Sequence, residues 1–257
     1  MTERICDMHV HTRNSCDSPV SMEVYCLRAI EKGIDILCFT DHLDLNPVDE
    51  CYGHYVAEKQ FREFEEVKEK YGNRLTLMCG IEFGDPHIYR DILAEHSKLG
   101  YDFILGPVHF WYENLYPNRM MEIGINTEVC YEYYWNEVRL VIEAGGFDCL
   151  GHMDFPKRYY LELKFDPDKI AAIFKEMIRK NISLEINTSS LRYGLTETLP
   201  DKDLLAVYKE CGGSFITIGS DAHKPEHLAS GREYARGLID YFGLTEVYYR
   251  GRVPHLV

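Results

Sequence analysis

The sequence predicts an α/β protein whose strands form one closed parallel barrel, and three observations support this prediction. Seven short apolar segments alternate with segments of helical periodicity. Most of the apolar segments are continuous, as expected for parallel strands that are covered on both faces. A polar side chain follows each of them, and a barrel gathers the carboxyl ends of all its strands at one face, whereas an open sheet concentrates its site at one switch point.

The predicted strands and helices follow one another in strict alternation, which favours right-handed crossovers and a parallel sheet. The strands are predicted at residues 5–10, 34–40, 75–81, 103–108, 147–151, 183–187 and 214–219. The helices are predicted at residues 21–32, 56–71, 89–99, 127–144, 167–180, 201–211 and 231–242. Ser21 is a typical helix N-cap residue, and Gly33 has the position of a C-terminal cap. Longer insertions at residues 43–56 and 110–126 follow strand ends, so we expect them to form loops over the site.

Length and charge restrict the domain organisation and the partners. The 257 residues contain no linker-like or repetitive stretch, so we predict a single domain over residues 1–257. The formal net charge of −14 makes nucleic-acid or anionic-membrane binding unlikely, because both require a basic surface. A small phosphorylated substrate remains compatible with this charge, since bound cations can make one pocket locally positive. The oligomeric state does not follow from the sequence.

The nine cysteines form no C-x-x-C pair, and several of them lie inside apolar segments. We therefore expect reduced thiols that pack as small hydrophobic groups, and a cytoplasmic protein. The amino terminus has no signal-like apolar region, and no apolar run reaches the length of a membrane span.

Imidazoles and carboxylates recur where the predicted strands end. His9 and His11 are two residues apart on the first strand, so both side chains point to the same side. A single His-x-His pattern is a weak signal, and an apolar-flanked acid such as Glu82 often forms a buried salt bridge. The recurrence of such residues at other strand ends favours a cluster of divalent metal ions; these residues are Asp41, His42, His109, His152, Asp221 and His223.

These motifs resemble the PHP (polymerase and histidinol phosphatase) superfamily over nearly the whole chain. The matching segments are Asp-Met-His-Val-His-Thr at residues 7–12, Thr-Asp-His at 40–42, Gly-Ile-Glu at 80–82, Val-His at 108–109, Gly-His-Met-Asp at 151–154 and Gly-Ser-Asp-Ala-His at 219–223. Residues 155–159 and 187–192 look like the histidinol-phosphatase branch of that superfamily. The resemblance implies a distorted seven-stranded (β/α)7 barrel with three divalent metal ions, which on mixed nitrogen and oxygen ligands would be Zn, Mn or Fe.

The resemblance also implies three groups of ligands. The first metal would be held by His9, His11, Glu82 and Asp221, the second by Glu82, His109 and His152, and the third by Asp17, His42 and His223. Some relatives carry His at the position of Asp17, and the alternative for this residue is an N-cap or a turn in the polar segment 14–19.

The activity implied by the resemblance is hydrolysis of a phosphomonoester, most simply L-histidinol phosphate in histidine biosynthesis. A metal-bridging hydroxide would attack phosphorus in line, with His42, Asp154 and Asp221 as the catalytic residues. Arg158, Arg192 and His54 are the candidates for substrate binding, although both arginines are also compatible with ordinary surface salt bridges. The alternatives are a phosphoesterase or exonuclease that acts on nucleotides or another phosphorylated metabolite, and a metal-binding regulator without activity.

Overall fold

The computed structural model describes residues 4–111 and 113–257, in which all seven predicted strands are present. The strands are β1 (Cys6–Val10), β2 (Ile36–Leu43), β3 (Thr76–Phe83), β4 (Phe103–Leu105), β5 (Cys149–Leu150), β6 (Ser183–Asn187), β7 (Phe215–Gly219), β8 (Thr245–Arg250) and β9 (Val253–Leu256). The α-helices are α1 (Met22–Lys32), α2 (Ala57–Tyr71), α3 (Arg90–His96), α4 (Pro117–Glu122), α5 (Thr127–Ala144), α6 (Lys157–Tyr160), α7 (Pro167–Arg179), α8 (Lys202–Glu210) and α9 (Arg232–Phe242).

The strands lie in the sheet in the order in which they occur along the chain, and β1 to β8 are parallel. Strand β7 pairs with β6 on one side and has two different neighbours on the other side. Its first residues pair with β8, whereas the segment that follows it returns to β1 through a bridge between Val10 and Ala222. The backbone N–H of His11 donates to the carbonyl of Ala222 at 2.9 Å. The barrel therefore closes between β1 and β7 at the end that carries the polar side chains, which confirms the predicted distorted barrel.

The two strands that the sequence analysis missed close the opposite end of the barrel. Strand β9 pairs antiparallel with β8, and Val247, Tyr248 and Tyr249 of β8 pack against an apolar group inside the barrel. That group includes Cys6, Met8, Ile36, Cys38, Met78, Phe103, Leu105 and Cys149. The barrel interior is therefore mainly apolar at the amino ends of the strands, and the imidazoles lie at the other end.

Local signals account for the helix boundaries. The Ser21 side chain accepts a hydrogen bond from the N–H of Val24, and Gly33 ends the same helix in the left-handed conformation with φ of 69°. Asn126 caps α5 in the same way through the N–H of Val129. These caps satisfy backbone groups that have no partner inside a helix, which is why the predicted starts are close to the observed ones.

Two expectations need correction. Strands β2 and β3 are longer than predicted, so that His42 and Glu82 lie within paired strands rather than after them. Cys16 and Cys51 form a disulfide, which contradicts the expectation that all nine cysteines are reduced. Among residues 4–111 and 113–257, no helix combines the length and the apolar character that a bilayer crossing requires.

Candidate metal centre

The nine predicted ligands converge at the carboxyl ends of the strands, although they are spread over more than two hundred residues. The strand register explains part of this convergence. His42 and Glu82 are direct partners in the pairing of β2 with β3, and Glu82 is the partner of Leu105 in β4. The bridge between Val10 and Ala222 brings the His9–His11 segment next to the Asp221–His223 segment.

The first group of ligands has the spacing that a tetrahedral ion requires. His9 Nε2 lies 2.9 Å from His11 Nε2, and each of these atoms lies 3.4 Å from Glu82 Oε2. Asp221 Oδ1 lies 3.8 Å from His9 Nε2 and 3.4 Å from His11 Nε2. Donor atoms that are about 2.1 Å from a tetrahedral zinc ion are about 3.4 Å from one another. His9, His11 and Asp221 therefore form one group that could hold an ion, and Glu82 Oε2 lies within reach of both imidazoles of that group.

Glu82 also belongs to the second group. Its other oxygen, Oε1, lies 3.0 Å from His152 Nε2 and 3.7 Å from His109 Nε2. One carboxylate thus presents each oxygen to a different group of imidazoles, which is the geometry of a bridging ligand. His152 and Asp221 have positive φ angles of 20° and 53°. Such backbone conformations are costly for residues other than glycine and are often found where side chains must be aimed at a functional site.

The third group lies at the mouth of the barrel. Asp17 Oδ2 lies 2.8 Å from His223 Nε2 and 3.6 Å from His42 Nε2. His11 lies close enough to be grouped with these three side chains. The Asp17 side chain is 45% exposed, compared with 1% for Glu82. Asp17 is therefore held less firmly than the ligands on the strands.

Two carboxylates that the sequence analysis missed hold the imidazoles from behind. Asp44 Oδ1 lies 2.9 Å from His109 Nδ1, and Asp44 Oδ2 lies 3.0 Å from His42 Nδ1. Glu185 Oε1 lies 2.6 Å from His9 Nδ1, and Glu185 Oε2 accepts the backbone N–H of His152 at 2.8 Å. A ring that donates from Nδ1 presents the lone pair of Nε2 to a metal.

A sequence signal existed for both of these residues. Asp44 comes two residues after His42, at the spacing that keeps strand side chains on one side. Glu185 is an acid inside the apolar segment Ser-Leu-Glu-Ile-Asn, as Glu82 is inside its own segment.

The charges of the cluster suit divalent cations. Burial raises the pKa values of Glu82 and Asp221, but His9 and the neighbouring imidazoles outweigh it and hold both carboxyl pKa values well below their usual range. Burial, together with the nearby His223 and His42, lowers the pKa of His11 to about 3, so that this ring is neutral at pH 7.

Two atoms of the cluster also lack an ordinary partner. Within the described part of the chain, the buried atoms Glu82 Oε2 and His42 Nδ1 make no contact with the geometry of a hydrogen bond, although they lie 3.0 Å apart and Asp44 Oδ2 also lies 3.0 Å from His42 Nδ1. Buried polar atoms are rarely left in this state, so the donor set fits resident metal ions.

A cavity of about 580 Å³ opens above the cluster. Arg158 is in its wall, where the guanidinium lies 5.0 Å from the ring centre of Phe155 and 4.7 Å from that of Tyr193. Its Nη2 donates to Ser189 at 2.6 Å and to Asp221 at 3.3 Å, while the buried Nε has no partner among the described residues. The other walls are aromatic and acidic; they include Phe110, Tyr116, Tyr159, Asp49 and Glu50.

Three of the residues predicted for catalysis or substrate binding do not lie in the walls of this cavity as described. Arg192 donates to the backbone carbonyl of Asp221 at 2.9 Å and to Ser230 at 2.7 Å, so it holds a ligand segment in place. The exposed His54 makes a 3.5 Å contact with the carbonyl of Arg13.

Asp154 is the third of these residues, and it is fully buried. Its Oδ2 lies 3.2 Å from Lys157 Nζ and accepts the N–H of Asp201 at 3.0 Å. The structure therefore gives no support to Asp154 as a proton donor, nor to Arg192 and His54 as groups that contact the substrate.

Comparisons with known proteins agree with the family resemblance of the sequence motifs. The family model of the PHP domain matches residues 7–189. A "probable histidinol-phosphatase" of Thermotoga maritima is 28% identical over 229 residues, which are 88% of each chain. A histidinol-phosphatase of Lactococcus lactis is 27% identical over 94% of this chain and 92% of its own.

The fold of a solved structure is also similar. The histidinol phosphate phosphatase from Lactococcus lactis, crystallised with zinc, L-histidinol and phosphate, superposes with a TM-score of 0.88 and 24% identity. The superposition covers 98% of this chain and 99% of that one. At this level of identity the likeness concerns the fold alone.

Proposed function

Since the chain belongs to the PHP domain family, we propose that it is a metal-dependent phosphomonoesterase that hydrolyses L-histidinol phosphate to L-histidinol and phosphate, a step of histidine biosynthesis. The proposal depends on one observation. Three groups of candidate metal ligands and the Nε of Arg158, which has no partner among the described residues, lie at the same cavity. The names of relatives at 27–28% identity, which match most of the chain, support the substrate.

Three divalent ions are part of the proposal. The groups around Glu82, Asp221 and Asp17 would hold one ion each, and Glu82 would bridge the first two. Zinc is supported by its presence in the solved structure of similar fold; manganese and iron suit the same nitrogen and oxygen ligands. When bound, such ions supply an acidified water as the nucleophile and neutralise the charge that develops on the phosphate oxygens.

The protein's own side chains would position the substrate. The phosphate would lie beside Arg158, whose Nε–H is free to donate and whose planar guanidinium suits phosphate oxygens. Phe155 and Tyr193 restrict the movement of this guanidinium, and Ser189 fixes one of its nitrogens. His42 and Asp221 would act by holding metal ions next to the reacting phosphorus, while no side chain is assigned as the proton donor.

The walls of the cavity favour an amino alcohol over a nucleotide. Asp49 and Glu50 line it, and neither has a salt-bridge partner among the described residues. Their carboxylates suit the positively charged amine of histidinol, and the aromatic walls suit its imidazole. A nucleotide would bring further negative charge to a chain whose net charge is already −14.

The test is a panel of phosphomonoesters assayed after metal removal and reconstitution with zinc, manganese or iron. We expect no turnover in the apo-protein and a kcat/KM for L-histidinol phosphate on the order of 100-fold above that for a nucleoside monophosphate. The variants His42→Ala and Asp221→Asn should lose both activity and metal. A preference for the nucleotide would overturn the substrate, and full activity of the apo-protein would overturn the metal-dependent mechanism.

A further inference from the structure

The disulfide between Cys16 and Cys51 joins two loops at the mouth of the barrel. Cys16 lies between β1 and α1, and Cys51 lies between β2 and α2. The two Cα atoms are 5.2 Å apart across a sequence separation of 35 residues. The other seven cysteines are free, and all of them except Cys211 are buried. One pair of cysteines therefore differs from the rest in both chemistry and position.

Both members of this pair line the substrate cavity. Cys16 precedes Asp17, the most exposed of the predicted metal ligands. The loop around Cys16 has anchors of its own, because Ser15 Oγ donates to Asp41 at 3.0 Å and Ser18 Oγ donates to the carbonyl of His11 at 3.0 Å. Loss of the disulfide would therefore leave this loop largely in place.

The loop around Cys51 has few such anchors. We define residues 47–54 as the wall segment, because residues 48–51 line the cavity. Among the residues that the structure describes, hydrogen bonds of the wall segment stay within residues 46–54, apart from the 3.5 Å contact of His54 with Arg13.

Firm contacts to the rest of the protein are found at the two ends of the wall segment. Asn46 pairs with Asn114, and Tyr55 bonds to Tyr101. Between these two ends, the disulfide is the covalent link that fastens the segment to the barrel.

We propose that Cys16 and Cys51 form a redox site that controls this wall of the substrate cavity. In the disulfide state the wall segment is fixed beside the metal centre, with the carboxylates of Asp49 and Glu50 in the cavity. In the dithiol state the segment is free to leave it. This inference rests on the proposed phosphatase function for its effect on catalysis, but the redox site itself does not depend on that function.

The chemical step is a thiol–disulfide exchange with an external dithiol. Cys16 is partly exposed and Cys51 is 7% exposed, so the incoming thiolate attacks Cys16 Sγ. The Sγ–Sγ bond breaks, Cys51 leaves as a thiolate and takes up a proton, and the second thiol of the reductant resolves the mixed disulfide. The pair gains two electrons and two protons in total, and the dithiol becomes a disulfide.

The first test counts thiols and needs no activity. The full-length protein, purified without reductant, is denatured, alkylated and weighed by mass spectrometry before and after treatment with a phosphine, which reduces the bond as it becomes a phosphine oxide. We expect seven alkylated cysteines before reduction and nine after it, with the added labels at Cys16 and Cys51. Nine labels without reduction would overturn the proposal.

The second test measures the wall segment. A protease specific for glutamyl bonds should cut after Glu50 faster in the reduced protein. The KM for L-histidinol phosphate should rise about three- to tenfold, as expected if the segment spends a third to a tenth of its time in place. Metal content must stay the same in both states. The double variant Cys16→Ser/Cys51→Ser should match the reduced protein and ignore the phosphine, whereas Cys211→Ser should respond to it as the wild type does.

The outcomes are separable. If the rate of cleavage after Glu50 and the KM are the same in both redox states, the disulfide does not control the wall segment, even if it is present. If no phosphomonoester is hydrolysed in either state, the proposed function fails, and thiol counting together with cleavage at Glu50 still decides the redox site.

Discussion

Replacing Asp44 with asparagine tests whether one carboxylate orients ligands of two different metal ions. One carboxylate oxygen is hydrogen-bonded to His109 Nδ1 at 2.9 Å, and the other is in ionic contact with His42 Nδ1 at 3.0 Å. Burial opposes the charge of Asp44, but His109 and His42 outweigh it and keep its pKa below the usual value. Asparagine keeps one acceptor oxygen and places an NH₂ donor at the other, so at least one ring loses its partner.

The size of the effect follows from that single lost contact. A hydrogen bond to a charged group contributes about 1.5–3 kcal/mol. At about 1.4 kcal/mol per factor of ten, the affinity of the affected metal position should fall about 10- to 100-fold. The position held by His9, His11, Glu82 and Asp221 should change less, because none of these ligands contacts Asp44.

The assay is a titration of the apo-protein with zinc in competition with a chelator of known affinity, followed by measurement of kcat at saturating metal. Asp49→Asn is the matched control, since it removes the same charge from a cavity residue whose carboxylate bonds to the backbone of Cys51. If Asp44→Asn binds all its zinc within twofold of the wild type, the orienting role assigned to this carboxylate is wrong.

Further predictions concern the other groups behind the cluster. Glu185→Gln should weaken zinc binding about tenfold through His9, whereas Glu63→Gln, at a buried carboxylate outside the cluster, should not; the same titration checks both. Arg158→Ala should raise the inhibition constant of inorganic phosphate about 10- to 100-fold, and Arg158→Lys should restore only part of the loss because it keeps the charge without the fork. Arg192→Ala should lower the amount of metal that the protein retains and leave the inhibition constant of inorganic phosphate nearly unchanged. A rise in that inhibition constant without loss of metal would show that Arg192 contacts the phosphate.

The sequence was most informative about structural features that depend on residues close together along the chain. Ser21 and Gly33 mark the ends of α1 because capping satisfies backbone groups within one turn. Strand β6 was predicted with its observed bounds, and its apolar residues are Leu184 and Ile186. The seventh strand was found in the same way, whereas β8 and β9 were missed: their mixed polar and aromatic pattern fits strands that close one end of the barrel.

Most candidate ligands were also accessible from the sequence, since they lie at or near the end of a predicted strand; Asp17 was assigned from the family resemblance. A parallel barrel then leaves only one place where these ends meet. The roles of residues that act through other side chains were not accessible. Whether an arginine such as Arg192 faces the cavity or a backbone carbonyl depends on loop conformation, which the local pattern does not encode.

The amino-acid sequence by itself determined the alternation of strands and helices and indicated the candidate metal ligands at the strand ends, because periodicity, capping and residue chemistry are local properties. Only the tertiary structure decided that Asp44 contacts two imidazoles, that Glu185 bonds to His9 across 176 residues of sequence and that Cys16 forms a disulfide with Cys51. These pairings depend on how the barrel closes and on which loop conformations its closure permits. Apart from Asp44 and His42, which are two residues apart, the partners are separated along the chain by distances over which no sequence pattern specifies contact.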